Sequence, residues 1–240
     1  MSPKAVPTTH PRYLSLMMRE KIVAGVAAGV TSPHGLIAHG RGEALDYLLG
    51  ERTHPFAHAA IAEAARRLLG AKHPVLSING NVCALAAAEM VALAKACNAR
   101  LEVNIFHTSP EREQAIRRML ISSGAHDVLM PSRTHALEHL DHNRRWVHPD
   151  GIWKADVVFV PLEDGDRCQA LVRGGRQVIT IDLNPLSRTA QTATVTIVDH
   201  LLRALPLLTA ACENPPPPSA SFDNAALLRE AVMALRGGVG

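Results

Sequence analysis

The strongest chemical signal in this 240-residue chain is DLNPLSRTAQTAT, at 182–194. It follows the apolar run QVITID directly and contains Asp182, Asn184, Ser187, Arg188, Thr189 and Gln191. Arg188 offers a planar fork of donors that matches a phosphate, and Asn184 could bond a base or a ribose. The competing reading is a loop whose short polar side chains satisfy their own backbone. A second segment, His39-Gly40-Arg41-Gly42-Glu43, places an arginine between two glycines. That spacing lets backbone approach a ligand closely, and a helix beginning after it would favour an anion. A turn bearing a solvated arginine is the alternative. The third segment is Glu163-Asp164-Gly165-Asp166-Arg167. Three carboxylates after a strand suit Mg²⁺, a hard cation that takes oxygen ligands; the same residues also suit an ordinary charged helix start.

Thirteen histidines raise the question of a metal. His135, His139 and His142 follow i, i+4, i+7, which would align them on one helical face. They sit in an irregular stretch with no cysteine partner, so a polar surface loop is the preferred reading. Cys83, Cys97, Cys168 and Cys212 form no CxxC pair and read as reduced thiols of a cytoplasmic protein. There is no GxxxxGK[ST], no third glycine after Gly40 and Gly42, no GxSxG and no HExxH, which removes the P-loop, dinucleotide, hydrolase-elbow and zincin readings.

These segments need elements to hold them. PVLSIN (74–79), LEVNIF (101–106), ADVVFV (155–160), QVITID (177–182) and TATVTIV (192–198) are short apolar runs that read as buried strands, with a weaker one at 127–130. Helical patterns cover 12–30, with Leu14, Met17, Met18, Ile22 and Val26 on one face, then 55–70, a segment ending near Asn98, and 200–212. Ser109, Pro110 and Glu111 predict a capped helix start. The stretch 31–43 reads as turn-rich and 131–150 as a long polar loop. Alternating strands and helices imply an α/β fold with a mostly parallel sheet, helices on both faces and an N-terminal helical segment. Ligands of such sheets bind beyond the carboxyl ends of strands. That rule selects Asn79–Asn81, Asn104–His107, Pro161–Asp166 and Asp182–Thr192. Residues 1–213 read as one domain, followed by a Pro-rich linker and a tail helix within 214–240.

Composition sets bounds. A net charge of +3 and only 3% aromatic residues argue against nucleic-acid binding. No signal-peptide h-region and no run of apolar residues long enough for a membrane span is found, so no membrane partner is expected and a soluble cytoplasmic protein is.

HPRYLSLMMREK, GLIAHGRGEALDYLLGE, HPVLSINGN, LEVNIF, ADVVFVPLEDGDR and IDLNPLSRTAQTATVTIVD together resemble the archaeal-type phosphopantothenate synthetases, or 4-phosphopantoate–β-alanine ligases. The resemblance runs from about residue 9 to 213. It implies a Rossmann-like homodimer that joins 4-phosphopantoate to β-alanine using ATP and Mg²⁺, through an acyl-adenylate, in coenzyme A biosynthesis. It carries ATP contacts onto Arg19, Arg41, Asp182, Leu183, Asn184, Arg188, Thr189, Val198, Asp199 and His200. Asp182 and Asn184 are expected at adenosine, and Arg41 and Arg188 at phosphates, where they act in catalysis. His39 is expected beside the acid as a further catalytic group, with Asn79, Asn81 and Asn104 binding phosphopantoate. Glu163, Asp164 and Asp166 are expected at Mg²⁺ or the β-alanine ammonium. Arg19, far from the sheet in sequence, could act across a dimer interface. The chain departs from the family at His200, where an asparagine is usual, in its His-rich 131–150 stretch and in its Pro-linked tail. Two other functions fit the same motifs: an ATP-dependent carboxylate–amine ligase with another acid or amine, and an ATP-binding regulator without turnover.

Overall fold

A computed structural model describes residues 6–215, 217 and 221–237. The strongest apolar runs become β1 (Pro74–Ile78), β2 (Arg100–Val103), β3 (Val157–Phe159), β4 (Gln177–Ile181) and β5 (Val195–Ile197). They are too short for stable helices and rich in β-branched residues, which suit a pleated surface. All pair in parallel, in the order β2-β1-β3-β4-β5. The weak run at 127–130 adds a single bridge, Glu102 to Leu129.

Successive strand residues point to opposite faces, and both faces are buried. Leu76, Ile78, Val157, Phe159, Ile179 and Ile181 belong to a large core with α3 (Pro55–Gly70), α4 (Gly80–Ala96), α5 (Pro110–Ser122) and α8 (Leu201–Glu213). Val75, Val158, Val160 and Val178 face a smaller core with α6 (Gly165–Arg173) and Leu137, Leu140, Val147 and Ile152. The irregular 131–150 stretch therefore covers much of the second face. It is pinned there by Glu102, fully buried on β2, whose two oxygens accept from the amides of His148 and Ile152 at 2.9 and 2.6 Å. It contains only one 3-10 turn, Asn143–Arg145, so His135, His139 and His142 share no helical face. His139 itself adopts a positive φ.

Two N-terminal helices precede the sheet: α1 (Tyr13–Ala27) packs on α4 and α2 (Pro33–Leu49), and α2 lies over the carboxyl ends of the strands. α1 packs through Met18, Ile22 and Gly25, whereas Leu14, expected on the buried face, is exposed. α2 replaces the turn expected over 31–43. Pro33 stands at its first positions after an extended Ser32, a favoured helix start. The glycines of HGRGE lie inside this helix, so no helix begins after Arg41. Interior glycine costs about 1 kcal/mol relative to alanine, but Gly35 is required by packing: a Cβ there would collide with the Asn81 side chain and with Thr31 Oγ1. Short α7 (Arg188–Thr192) follows β4. The amphipathic tail forms α9 (Asn224–Gly237), which buries Leu228 and Ala231. Asn224 at its start accepts from the Thr196 amide on edge strand β5 and donates to the carbonyls of Ala190 and Ala193. The linker prolines at 216 and 218 lie outside the described residues.

Candidate active site

The strand order reverses direction between β1 and β3, and a crevice of that kind is where ligands bind in doubly wound sheets. A cleft of about 350 Å³ opens there. The loops after β1, β2, β3 and β4 form its floor and α2 forms one wall. Asn79 staples the reversal point. Its Oδ1 caps α4 at the Val82 amide, and its Nδ2 donates to the carbonyls of Pro161 and Leu162, all at 3.0–3.1 Å. Asn81 fastens α4 to α2, accepting from Thr31 Oγ1 at 2.5 Å and donating to the Gly35 carbonyl at 3.0 Å. Gly80 lies between them so close to the preceding turn that a Cβ would come within 2.7 Å of the Val30 carbonyl.

α2 spans the cleft from end to end. At one end the His34 ring lies 4.9 Å from the His107 ring, tilted by 32°, beyond β2. At the other, Gly42 approaches Leu183 beyond β4, and the His39 and His200 rings meet edge to face at 6.3 Å. His39, Arg41, Asn79, Asn81, Asp164, Leu183 and His200 thus come together as lining residues. His39 Nε2 is buried with no hydrogen-bond partner. Burial pushes its pKa down, outweighing nearby Glu43. His200, at the start of α8, accepts from the Leu202 amide through Nδ1. Burial lowers it to about 4 despite Asp46.

The loop after β4 satisfies much of itself. Asp182 accepts from the Asn184 amide and the Ser187 hydroxyl, while Asn184 Oδ1 accepts from the Leu186 amide. Burial raises the Asp182 pKa despite these bonds. Arg188 leaves the start of α7 and lies over Gly165, where a Cβ would strike it. Its side chain is 59% exposed and lies 3.8 Å from Asp166. Thr189 is buried and donates to the Glu163 carbonyl. Val198 is in the core. Asp199 is buried, accepting from Thr53, Arg203 and the His200 amide.

The loop after β3 is a charge network. Glu163, 1% exposed, is gripped by Arg144 and by fully buried Arg167. Arg144 also pairs with Asp164 at 2.7 Å. Its Nε donates to Asn104 Oδ1, and Asn104 Nδ2 donates to the Arg144 and Trp146 carbonyls. His142 contacts Asp166 at 2.9 Å. Burial would raise the Asp166 pKa, but His142 and the Arg167 amide hold it below the usual range. No group of three or more His, Cys, Asp or Glu side chains gathers as a metal cage among the described residues. Glu163, Asp164 and Asp166 accordingly do not assemble as one.

Arg19 stands outside the cleft. On α1 it pairs with Glu43 of α2 at 2.6 Å, and Arg12 pairs with the same carboxylate at 3.1 Å. Burial raises the Glu43 pKa, but Arg19 and Ser15 outweigh it. Among the cleft residues, Thr31, His34, Arg112 and Arg144 carry no expectation from sequence, whereas His107 falls in the expected Asn104–His107 segment. Arg112 had a legible signal, since it lies in the first turn of a helix that follows a strand. Arg144 had none, because its partners lie 19–40 residues away along the chain.

The fold and the cleft define a Rossmann-like α/β protein whose crevice is lined by Arg41 and Arg112, neither paired with a carboxylate among the described residues. The chain belongs to the phosphopantothenate/pantothenate synthetase family, whose profile matches residues 56–236 and so includes α9. The 4-phosphopantoate–β-alanine ligase of Thermococcus kodakarensis is 52% identical over 202 residues, 84% of this chain and 77% of that protein. The ligase of the same name from Methanosarcina mazei is 56% identical over 200 residues, 83% of this chain and 79% of that protein.

Proposed function

We propose that this chain is a 4-phosphopantoate–β-alanine ligase of coenzyme A biosynthesis. Identity above 50% to curated ligases over more than four-fifths of the chain carries this reading. In the proposed reaction the acid's carboxylate oxygen attacks the α-phosphorus of ATP, and pyrophosphate leaves. The β-alanine nitrogen then attacks the acyl carbonyl, AMP leaves, and the nitrogen gives up a proton. Charge builds on the α-phosphoryl oxygens during the first step, where Arg41 and Arg188 would stabilise it. His39 is held neutral by burial, and its unpartnered Nε2 is the group best suited to take the ammonium proton. Adenosine is assigned to Asp182, Leu183, Asn184, Thr189 and the Val198–His200 segment, with Asn79, Asn81 and Asn104 acting on the acid by shaping its floor.

Mg²⁺ would arrive on the triphosphate and offset its charge. Asp164 and Asp166 are the carboxylates exposed enough to reach it, whereas Glu163 is already neutralised. Leu14 and Val23 on α1, and Ile37, Tyr47 and Leu48 on α2, leave apolar surface exposed around Arg19. That surface supports pairing of two copies, with Arg19 near the interface. No helix among the described residues is long and apolar enough to cross a membrane. Four buried free cysteines support a reducing, cytoplasmic setting.

The test is AMP release from ATP and Mg²⁺ with 4-phosphopantoate, with and without β-alanine. AMP formed together with 4′-phosphopantothenate only when both substrates are present supports the ligase. AMP formed with a different acid or amine would redirect the specificity. ATP binding without AMP from any pair would leave a nucleotide-binding regulator.

A further inference from the structure

Three arginines line the cleft: Arg41, Arg112 and Arg144. Arg144 is neutralised by Glu163 and Asp164. Among the described residues, no carboxylate lies within 4 Å of Arg41 or Arg112. The cleft therefore holds two uncompensated guanidinium groups, and they serve different ends. Arg41 is next to Gly42, which packs on Leu183 beyond β4. Arg112 donates from Nη1 to the His107 carbonyl at 2.5 Å, beyond β2. His34, whose ring packs against His107, and Gly42 are eight residues apart on α2, or about 12 Å at 1.5 Å per residue.

We propose that Arg112, flanked by His34 and His107, binds the phosphate of the phosphorylated acid and makes that phosphate a condition of tight binding. This deepens the ligase reading and rests on it. The acid carries its phosphate at the end opposite the carboxylate that must meet the α-phosphorus. Its two anionic ends therefore have to be held apart, one toward Arg41 and the nucleotide, the other away from it. The amides of Asn79, Asn81 and Asn104 are already committed to protein partners and supply no positive charge. Arg112 Nε is buried without a partner, and burial with no acid to offset it lowers the Arg112 pKa. An arriving phosphate dianion would supply the missing counter-charge through charge-assisted bonds. The start of α4, at Gly80 and Asn81, lines the same cleft.

The experiment compares the wild type with R112Q and R112K. AMP release is followed as 4-phosphopantoate, unphosphorylated pantoate and ATP are varied in turn. In R112Q, the KM for 4-phosphopantoate should rise about 10–100-fold, the loss expected for one charge-assisted contact. The KM for ATP should stay within about twofold, and the preference for 4-phosphopantoate over pantoate should shrink by the same factor as the 4-phosphopantoate KM rises. R112K, which keeps the charge but loses the fork, should recover part of the loss. An unchanged 4-phosphopantoate KM in R112Q, or an equal loss for ATP, overturns the proposal. Thermal unfolding with inorganic phosphate supplies a readout independent of turnover. A Tm rise in the wild type that is lost in folded R112Q supports the site even if the ligase assay gives no AMP. An equal phosphate response in both proteins overturns the site.

Discussion

Arg188 illustrates how a side chain chosen from sequence can be left free by the fold. It is mostly exposed and its ion pair with Asp166 is long, at 3.8 Å, so its removal should spare the structure. Arg188→Ala should lower kcat about 10²–10³-fold, the loss typical of removing one transition-state donor, as read by AMP release. His200 gives a prediction in pH. The buried ring is held at about 4, against a usual 6.5, among Asp46, Asp199, Arg203 and His39. Below pH 6.5 the unfolded chain takes up this proton while the folded one does not. Stability is thus complete above 6.5 and is lost as pH falls toward 4, by about 3 kcal/mol in all. His200→Asn keeps a residue able to cap α8 but cannot titrate. Urea unfolding at a series of pH values should show the wild type losing about 3 kcal/mol more than H200N between pH 6.5 and 4. At this scale, the residue types in DLNPLSRT and HGRGE were legible from sequence. Which side chains stay free was not. Asn79, Asn81 and Asn104 look like ligands in sequence, and the fold also makes each a staple, through partners such as the Pro161 and Gly35 carbonyls and the Arg144 side chain that distant segments bring in.

Elements were legible where local chemistry is strong. Ser109 and Pro110 start α5 as expected, with the serine hydroxyl accepting from the Arg112 amide at 3.2 Å. Arg112 stands in this capped first turn and lines the cleft, so a local signal places the residue of the proposed phosphate contact. α2 was misread because three glycines and a proline imitate a turn. Tertiary packing overrides that propensity: α2 must pass close to α4, and only glycine at 35 allows it. The same logic applies between α1 and α4. A Cβ at Gly25 would lie 2.5 Å from the Ala84 Cβ. Gly25→Ala should destabilise the protein by about 1–3 kcal/mol through overpacking, seen as a lower urea midpoint with an unchanged m-value. The 131–150 stretch carries no periodicity, yet it delivers Arg144 to the site and closes the second face of the sheet. Its order comes from Glu102, Asn104 and Glu163, none of which is local to it.

At the scale of the whole molecule, the exposed apolar face on α1 and α2 stands out against cores that otherwise bury both sides of the sheet. Pairing of two copies through this face predicts that Ile37→Glu shifts the protein from dimer to monomer in light scattering, while circular dichroism stays unchanged. Activity falling with the dimer would tie Arg19 to the partner's cleft; activity retained by the monomer would leave Arg19 a partner of Glu43 alone. The parallel α/β class, the strand positions and the family were determined by sequence alone. They rest on short apolar runs, caps and contiguous motifs, all of which act over a few residues. The order β2-β1-β3-β4-β5, the course of α2 across the cleft, and the division of arginines into neutralised and free were decided only by tertiary structure. Each depends on which charged and polar groups meet across tens of residues, and one sequence read along its length does not encode those meetings locally.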